Sequence, residues 1–180
     1  MPKDGYESIF EPGCGAGGML FSAKQLYPNA RLVGCDLSET FLKQAWRISE
    51  SLNLDIQFKQ ALAENTGEHS NSYDAVISYA FFHEIPVRTG IEVVNEMFRL
   101  LKPGGDFLLC DMPYFQDISL FQAAILHHET IYHDEPYVST CCATDWKKIF
   151  NDAGFENVFS KSLYNGPGKF PYVYVGSKPK

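Results

Sequence analysis

The chain has 180 residues, of which 45% are hydrophobic and 14% aromatic, and its formal net charge at pH 7 is −7. This length is typical of one domain, and the apolar content exceeds that of a disordered chain. No apolar run reaches the roughly 18 residues of a membrane span, and the lysines and arginines form no cluster, which argues against membranes and nucleic acids as partners.

The cysteines and the first residues both favour a cytoplasmic protein. The five cysteines are odd in number and include no C-x-x-C pair, which argues against a disulfide framework. The chain starts without a basic segment followed by an apolar stretch, which is the pattern of a secretory signal. We therefore expect reduced thiols and a cytoplasmic location.

Strands and helices alternate between residues 6 and 110. Strands are predicted at 6–10, 31–35, 55–60, 73–79 and 107–110, and helices at 19–27, from Ser38 to about 52, and at 89–101. Repeated β-α-β units require right-handed crossovers and place helices on both faces of a parallel sheet. Ligands of such folds bind at the carboxyl ends of the strands.

Side-chain types predict the apolar face of the second helix and the end of the third helix. An apolar stripe is predicted on the second helix from Phe41, Leu42, Ala45, Trp46 and Ile48. The sequence Pro-Gly-Gly at 103–105 is predicted to stop the third helix and to form a turn before the fifth strand.

The alternation stops after residue 112. Residues 113–144 hold three histidines, two cysteines and many aromatic side chains, with one predicted helix at 120–131. An insertion at the ligand-binding edge is typical of a lid or a substrate wall. A helix is predicted at 145–153, and strands at 155–163 and 170–176, joined by a turn at 164–169, suit an antiparallel pair.

These elements predict one α/β domain over residues 1–180. The expected architecture is a three-layer sandwich around a mostly parallel, seven-stranded sheet with an antiparallel C-terminal strand pair. The segment 113–144 is expected to be a lid insertion after the fifth strand.

A glycine-rich turn follows the first predicted strand. Residues 10–18 read Phe-Glu-Pro-Gly-Cys-Gly-Ala-Gly-Gly, and Asp36 ends the region of the second strand. This arrangement holds nucleoside-containing cofactors in α/β folds. Three of the glycines satisfy G-x-G-x-x-G, so a nicotinamide or flavin dinucleotide has to be considered, although this match alone is weak. Glu11 would be unfavourable beside a pyrophosphate and suits a cofactor that carries an ammonium and a sulfonium.

With further motifs, the chain resembles the class I S-adenosylmethionine-dependent methyltransferases over nearly its whole length. Residues 11–17 look like the first motif of that family, and residues 36–38 look like the acidic end of its second strand. Residues 73–78 together with 82–84 look like its fourth-strand motif. Residues 100–105 look like its Leu-Lys-Pro-Gly-Gly turn, and residues 153–155 look like the start of its sixth strand. Several motifs in order are more specific than one glycine loop, and they argue against an NAD-dependent oxidoreductase.

The resemblance implies a binding site for S-adenosylmethionine. Its expected residues are Glu11, Gly13, Cys14, Gly15, Gly17, Asp36, Leu37, Ala63, Glu64 and Ser78. The glycine loop would line the methionine part, with Glu11 near the amino group. Asp36 would accept hydrogen bonds from both ribose hydroxyls, and Leu37 would pack on the adenine. Asp36 could instead cap the helix that starts at Ser38, and Leu62 stands where the family often has an aspartate.

His83 follows the fourth strand and is the candidate catalytic base. Methyl transfer needs alignment and, for an oxygen or an acidic carbon acceptor, a base. A histidine suits that role because it titrates near neutral pH. Glu84 or Glu135 would orient the ring. The alternative is that His83 only packs or caps the loop before Pro86.

The histidines and cysteines of the insertion lack the paired spacing of a structural metal site. They are His127, His128, His133, Cys141 and Cys142. Zinc sites usually show pairs such as C-x-x-C with H-x-x-x-H, so we expect no metal here. The aromatic and apolar side chains of the insertion would instead form a wall that suits a small or medium organic acceptor.

The sequence therefore predicts transfer of a methyl group from S-adenosylmethionine to a small or medium organic acceptor, with oxygen favoured. Transfer to carbon or nitrogen and a non-catalytic S-adenosylmethionine-binding module stay open as alternatives. The first strand begins close to Met1, where many relatives carry helices that cover the site. We expect the cover to come from the insertion, from another subunit or from a segment outside this chain.

Overall fold

A computed structural model describes residues 5–163 and 171–180. Its strands are β1 (Ser8–Pro12), β2 (Arg31–Asp36), β3 (Gln57–Gln60), β4 (Tyr73–Tyr79), β5 (Leu101–Asp111), β6 (Glu156–Ser162) and β7 (Tyr172–Ser177). Its α-helices are α1 (Gly18–Leu26), α2 (Glu39–Ser51), α3 (Val87–Leu100), α4 (Leu120–Tyr132), α5 (Val138–Ala143) and α6 (Trp146–Asp152). Short 3-10 turns lie at Phe82–Glu84 and Phe115–Asp117.

The seven strands form one sheet in the order β3-β2-β1-β4-β5-β7-β6. Strands β1 to β5 pair with one another in parallel, and β7 is antiparallel to both β5 and β6. The predicted α/β fold with an antiparallel C-terminal strand pair is therefore confirmed. The turn predicted at 164–169 lies outside the described residues. Because the order reverses between β1 and β4, the carboxyl ends of these strands flank a crevice where ligands of such folds bind.

Helices cover both faces of the sheet, and each face has its own apolar core. Alternate residues of a strand point to opposite faces, so neighbouring apolar residues enter different cores. On one face, strand side chains such as Phe107 pack with α3 and α6, and the Phe107 and Phe150 rings stack with centroids 4.9 Å apart. On the other face, strand side chains such as Ile9 pack with Leu20 of α1 and Ala45 of α2.

The predicted turn at 103–105 is wrong, because these residues belong to β5. Helix α3 ends at Leu100, and β5 begins at the next residue. The pairing of β4 with β5 shifts between Tyr73 opposite Leu101 and Ala75 opposite Asp106. Gly104, with φ of 80°, adopts the left-handed backbone in this irregular stretch, and its N–H donates to the carbonyl of Lys178. The Pro-Gly-Gly sequence therefore forms a distorted strand start, since the C-terminal segment supplies hydrogen-bond partners.

The apolar face of α2 also differs from the prediction. Leu42, Ala45 and Ser49 are the buried residues, whereas Phe41 and Trp46 are 50% and 55% exposed. Spacings of three and four residues place 42, 45 and 49 on one line along the helix. The polar Ser49 can be buried on this side of the helix because its hydroxyl donates to the Leu54 carbonyl at 2.6 Å.

The insertion contains two helices, of which the sequence predicted only α4. Helix α4 buries none of its residues and contacts α5. Hydrogen bonds of Ser139 in α5 connect the two helices. Its Oγ lies 2.8 Å from Thr130 Oγ1 and 2.9 Å from His127 Nδ1, both in α4. Helix α5 was missed because it is short, and its buried residues are Val138, Cys141 and Cys142. Within the described residues, no helix combines the length and the apolar character that a membrane crossing needs.

Candidate active site

The glycine loop is held in place by Asp36. Gly13, Gly15 and Gly17 have φ values of 63°, 50° and 87°, which are left-handed conformations that glycine adopts without a steric cost. The Gly15 N–H donates to Asp36 Oδ2 at 2.8 Å, and the Ser38 N–H donates to Asp36 Oδ1 at 2.8 Å. Each carboxylate oxygen has further acceptor capacity, so Asp36 can fix the loop and still accept from two hydroxyl groups. Ser38 itself caps α2, with its side chain accepting from the Phe41 N–H.

A first cavity lies between the ends of β1, β2 and β3 and the start of α3. Five of its lining residues were expected from the sequence: Gly13, Asp36, Leu37, Ala63 and Glu64. Five others were missed: Ala61, Leu62, Phe81, Ile85 and Thr89. The walls are mainly apolar, as a purine requires, and Glu64 supplies a side-chain carboxylate. Leu62 lies in this lining, at the position where the family that the sequence resembles often has an aspartate.

A second cavity adjoins the first at Gly13. Its lining consists of Glu11, Gly13, Cys14, Gly18, Met19, Ser22 and Tyr79. Because Gly13 lines both cavities, a ligand with a nucleoside at one end and an amino acid at the other could occupy both. Phe81 packs directly on Gly13, where a Cβ would overlap its ring. Glycine is therefore needed at this junction for both its backbone conformation and its small size.

Glu11 offers a buried carboxylate to the second cavity. The residue is 2% exposed, and within the described chain its Oε2 has no hydrogen-bond partner. Burial raises the pKa of Glu11 well above its usual range, and the nearby charge of Asp36 acts in the same direction. A buried carboxylate oxygen without a partner is costly, and a cationic ligand group would offset that cost. These residues fit the ammonium group of S-adenosylmethionine.

Three expected cofactor residues, Gly15, Gly17 and Ser78, are not among those that line the two cavities. Gly17 precedes α1, and a Cβ there would approach the rings of Phe21 and Phe58. Ser78 is buried on β4, and its Oγ has no hydrogen-bond partner within the described residues. Gly15 also lies outside both linings and acts through its hydrogen bond to Asp36. The structure therefore gives Gly15 and Gly17 roles in shaping the loop.

His83 pairs with a buried aspartate, Asp111, which the sequence prediction did not include. His83 Nδ1 lies 2.7 Å from Asp111 Oδ1. Asp111 is fully buried, and its oxygens also accept from the N–H groups of Phe81, Phe82 and Met112 at 2.8–2.9 Å. With a carboxylate as its partner, Nδ1 of a neutral His83 carries the proton, which leaves a lone pair on Nε2.

Local backbone geometry brings these groups together. Ala80, directly after β4, has φ of 52°, and its N–H donates to the Cys110 carbonyl at 2.9 Å. This left-handed residue turns the chain so that the next two N–H groups point to Asp111. The fully buried Trp146 packs edge-on against the ring of Phe82, with centroids 5.0 Å apart, and supports the turn that carries His83.

Both expected partners of His83, Glu84 and Glu135, lie close to it, and Glu84 is on the Nε2 side of the ring. Glu84 Oε1 is 3.5 Å from His83 Nε2, and one ligand atom each of His83, Glu84 and Glu135 lies within 4.8 Å of the others. Burial alone would lower the pKa of His83, but the hydrogen bond and charge of Asp111 together with Glu84 and Glu135 raise it overall. Glu135, from the loop between α4 and α5, therefore lies close to His83. No arginine or lysine forms an ion pair with these three carboxylates in the described chain.

A sequence signal for Asp111 existed. It ends the fifth strand at the carboxyl edge of the sheet, as Asp36 ends the second strand. Side chains at these positions meet at one edge in a parallel sheet. Phe81 and Ile85 could have been identified from their positions on either side of His83.

Comparisons with known proteins identify the family of this chain. A family profile described as "Methyltransferase domain" matches residues 9–105, which is more than half of the chain. The malonyl-[acyl-carrier protein] O-methyltransferase of Brevibacillus brevis is 27% identical over 160 residues, covering 84% of this chain and 55% of the relative. Sterol 24-C-methyltransferase ERG6A of Gibberella zeae is 24% identical over 179 residues, covering 96% of this chain and 45% of the relative. The chain spans about half the length of these two relatives.

A solved structure has the same fold. Phosphoethanolamine N-methyltransferase 2 of Haemonchus contortus, in complex with S-adenosyl-L-methionine, superposes with a TM-score of 0.76 at 14% identity, covering 99% of this chain and 50% of that one. At this identity the likeness concerns the fold alone. The family profile extends from β1 to the start of β5 and thus includes the glycine loop, Asp36 and His83. The chain therefore belongs to the class I S-adenosylmethionine-dependent methyltransferases, and the two cavities that share Gly13 are the candidate site of its cofactor.

Proposed function

We propose that this chain transfers a methyl group from S-adenosylmethionine to an oxygen atom of a small or medium organic acceptor, with His83 as the base. The observation that carries the proposal is the hydrogen-bonded pair of His83 and Asp111 at the edge of the cofactor cavities. The neighbours of His83 line the first cavity, through Phe81 and Ile85. Tyr79, four residues before His83, lines the second.

The bound cofactor supplies a methyl group on a positively charged sulfur, which is already activated for transfer. The protein has to align the acceptor and to remove a proton from it. Asp111 fixes the ring of His83 through Nδ1, so Nε2 can accept the proton of an acceptor hydroxyl. The imidazolium formed would be stabilised by Asp111, Glu84 and Glu135, which raise the pKa of His83 against the effect of burial.

An oxygen acceptor is favoured by this base. A neutral amine can attack a methyl group before it loses a proton, whereas a hydroxyl or an acidic carbon profits from proton removal. The two relatives described above are an O-methyltransferase and a C-methyltransferase, and the solved structure is an N-methyltransferase, so the preference for oxygen rests on the base and not on the comparisons. The insertion at 113–144 would form the acceptor wall with its aromatic and apolar side chains.

The experiment combines cofactor binding with methyl transfer. Calorimetry should detect binding of S-adenosylmethionine and no comparable binding of NAD. Transfer of a labelled methyl group would then be measured against a panel of phenols, carboxylic acids, carbon acids and amines. We expect label in the oxygen acceptors. Cofactor binding without transfer to any acceptor would instead support a non-catalytic module.

Replacement of His83 tests the base. His83→Gln should lower turnover by about 10²–10⁴-fold, the usual contribution of general base catalysis, with little change in the Kd of S-adenosylmethionine. His69→Gln is the matched control, because His69 is exposed in the loop before β4. Unchanged turnover of His83→Gln with intact cofactor binding would contradict the assignment and leave His83 a structural role.

A further inference from the structure

A cluster of one imidazole and two carboxylates lies at the acceptor side of the fold. His83 follows β4, Glu84 is its neighbour, and Glu135 comes from the loop between α4 and α5. One ligand atom of each lies within 4.8 Å of the others. His83 Nε2 and Glu84 Oε1 are 3.5 Å apart. Two ligands bound to one Zn²⁺ in a tetrahedral site are separated by about 3.4 Å, so this pair needs almost no movement.

Glu135 has an unsatisfied oxygen in this cluster. Its Oε2 is one of three buried side-chain oxygen or nitrogen atoms without a hydrogen-bond partner among the described residues. The other two, Glu11 Oε2 and Ser78 Oγ, belong to different parts of the protein. A buried carboxylate oxygen that lacks a partner costs free energy, and binding of a cation removes that cost.

Asp111 binds the second ring nitrogen of His83, as a carboxylate commonly does beside a metal site. A histidine that binds a metal through one ring nitrogen usually donates the other N–H to a carboxylate or a carbonyl, which fixes the ring. His83 does this through Nδ1, at 2.7 Å from the fully buried Asp111. Three carboxylates therefore surround one imidazole, and the described part of the chain supplies no lysine or arginine as an ion-pair partner for them.

We propose that His83, Glu84 and Glu135 bind one divalent transition-metal ion of the Zn²⁺ type. Zn²⁺ accepts imidazole nitrogen and carboxylate oxygen, and sites with three protein ligands leave a fourth position for water or another ligand. Mg²⁺ is a poorer match, because it prefers an octahedron of oxygen ligands and retains several waters. From the sequence, these three residues are expected to be a base and its possible partners, but their spacing along the chain, with Glu135 51 positions after Glu84, does not resemble a metal motif.

This site goes beyond the proposed methyl transfer and does not depend on it. The lone pair of His83 Nε2 can hold a metal ion or accept a proton, but it cannot do both at once. A metal ion bound to Nε2 would therefore prevent His83 from acting as the proposed base. Because binding can be measured without cofactor or acceptor, failure of one proposal leaves the other open to test.

The test is metal titration of the whole chain after treatment with a chelator. Calorimetry with Zn²⁺ should give one site per chain, and Co²⁺ should produce visible absorption bands typical of nitrogen and oxygen ligands. Glu84→Gln and Glu135→Gln should each weaken Zn²⁺ binding at least about 10-fold, as loss of groups at a metal site commonly does. Mg²⁺ should bind far more weakly than Zn²⁺.

Glu129→Gln is the matched control. Glu129 forms a second group of possible metal ligands with His128 and His133. Both histidines are exposed, and Glu129 is half-buried. The control should bind Zn²⁺ like the unchanged chain. Absence of Zn²⁺ binding would overturn the proposal, and so would binding that survives both Glu84→Gln and Glu135→Gln or that is lost in Glu129→Gln. Circular dichroism of the glutamine variants would establish that they fold, as expected for Glu84, whose side chain is 56% exposed.

Discussion

The carboxyl of Glu11 illustrates how a single residue can serve binding at the expense of stability. It is 2% exposed, and burial holds its pKa well above the usual range. An acid with a raised pKa in the folded state binds more protons when folded than when unfolded. The stability that it contributes is therefore present below its unfolded pKa, near 4.3, and is lost as the pH rises toward the folded value.

Glu11→Gln should stabilise the cofactor-free chain and weaken cofactor binding. Near neutral pH we expect a gain in the free energy of unfolding of about 1–3 kcal/mol, since the variant has no buried charge to desolvate. The gain should shrink as the pH falls through the folded pKa, because the glutamate is then protonated. Denaturant unfolding at several pH values measures the gain, and calorimetry measures the loss of affinity for S-adenosylmethionine. Equal affinity of both proteins would contradict the role of Glu11 at the ammonium.

The competition for His83 Nε2 gives a second prediction at this scale. Zn²⁺ added at saturating concentration should lower the rate of methyl transfer, and a chelator should restore it. The Kd of S-adenosylmethionine should stay the same, because Glu11 and Asp36 are not among the proposed metal ligands. Stimulation by Zn²⁺ would contradict His83 as the base while leaving the metal site in place.

Among the elements, the segment around Trp146 determines the position of the site. The Trp146 side chain is fully buried, packs against Phe82, and donates from Nε1 to the Cys141 carbonyl at 3.1 Å. It thereby connects α6 and α5 to the 3-10 turn that carries His83. Helix α3 passes close to it at Gly90, where a Cβ would lie 2.7 Å from the indole ring.

Gly90→Ala should destabilise the protein, although alanine is the better helix former. Alanine gains about 1 kcal/mol of helix propensity over glycine, but overpacking of a rigid core typically costs about 1–3 kcal/mol. Because Trp146 is fully buried, it cannot move aside freely, so we expect the melting temperature to fall. Gly18→Ala is the matched control, since a Cβ there meets nothing within 4 Å. A melting temperature of Gly90→Ala at or above that of the unchanged chain would contradict this expectation.

Over the whole molecule, the helices beside the sheet bury more of their residues than the long helix of the insertion does. Helix α3 buries six residues against the sheet, whereas α4 buries none. Large apolar side chains of α4 face outward, with Leu120 91% and Phe121 74% exposed. Segments with few buried apolar contacts open at low free energy, which is a requirement for a lid.

Native-state hydrogen exchange should therefore separate the two regions. Amides of α4 should exchange much faster than those of α3 and β4, because opening of α4 exposes almost no apolar surface. Mass spectrometry of peptides from 113–144 and from 73–100 measures the difference. Equal protection of α4 and α3 would contradict a mobile lid and favour a fixed wall.

Local patterns in the sequence predicted most of the sheet and several of the residues that line the two cavities. The glycine loop, Asp36 and the alternation of elements are set by backbone preferences and hydrophobic periods, which act over a few residues. Predictions failed where a distant partner decides. The Pro-Gly-Gly stretch joins β5 because the distant Lys178 supplies a carbonyl to Gly104. The burial of Ser49 in α2 has a nearby cause, since the carbonyl of Leu54 just beyond the helix accepts from its hydroxyl.

By itself, the sequence determined the fold family, the cofactor and the position of His83 at the edge of the sheet. Only the tertiary structure decided which carboxylate binds Nδ1 of His83, because Asp111 lies 28 positions away in the chain. It also decided how close Glu135, an expected partner from the insertion, comes to His83. Charges on separate elements acquire their effect on one another when folding brings them within a few ångströms and removes water from between them. The orphaned oxygen of Glu135 and the proposed metal site follow from that proximity, which spacing along the chain does not encode.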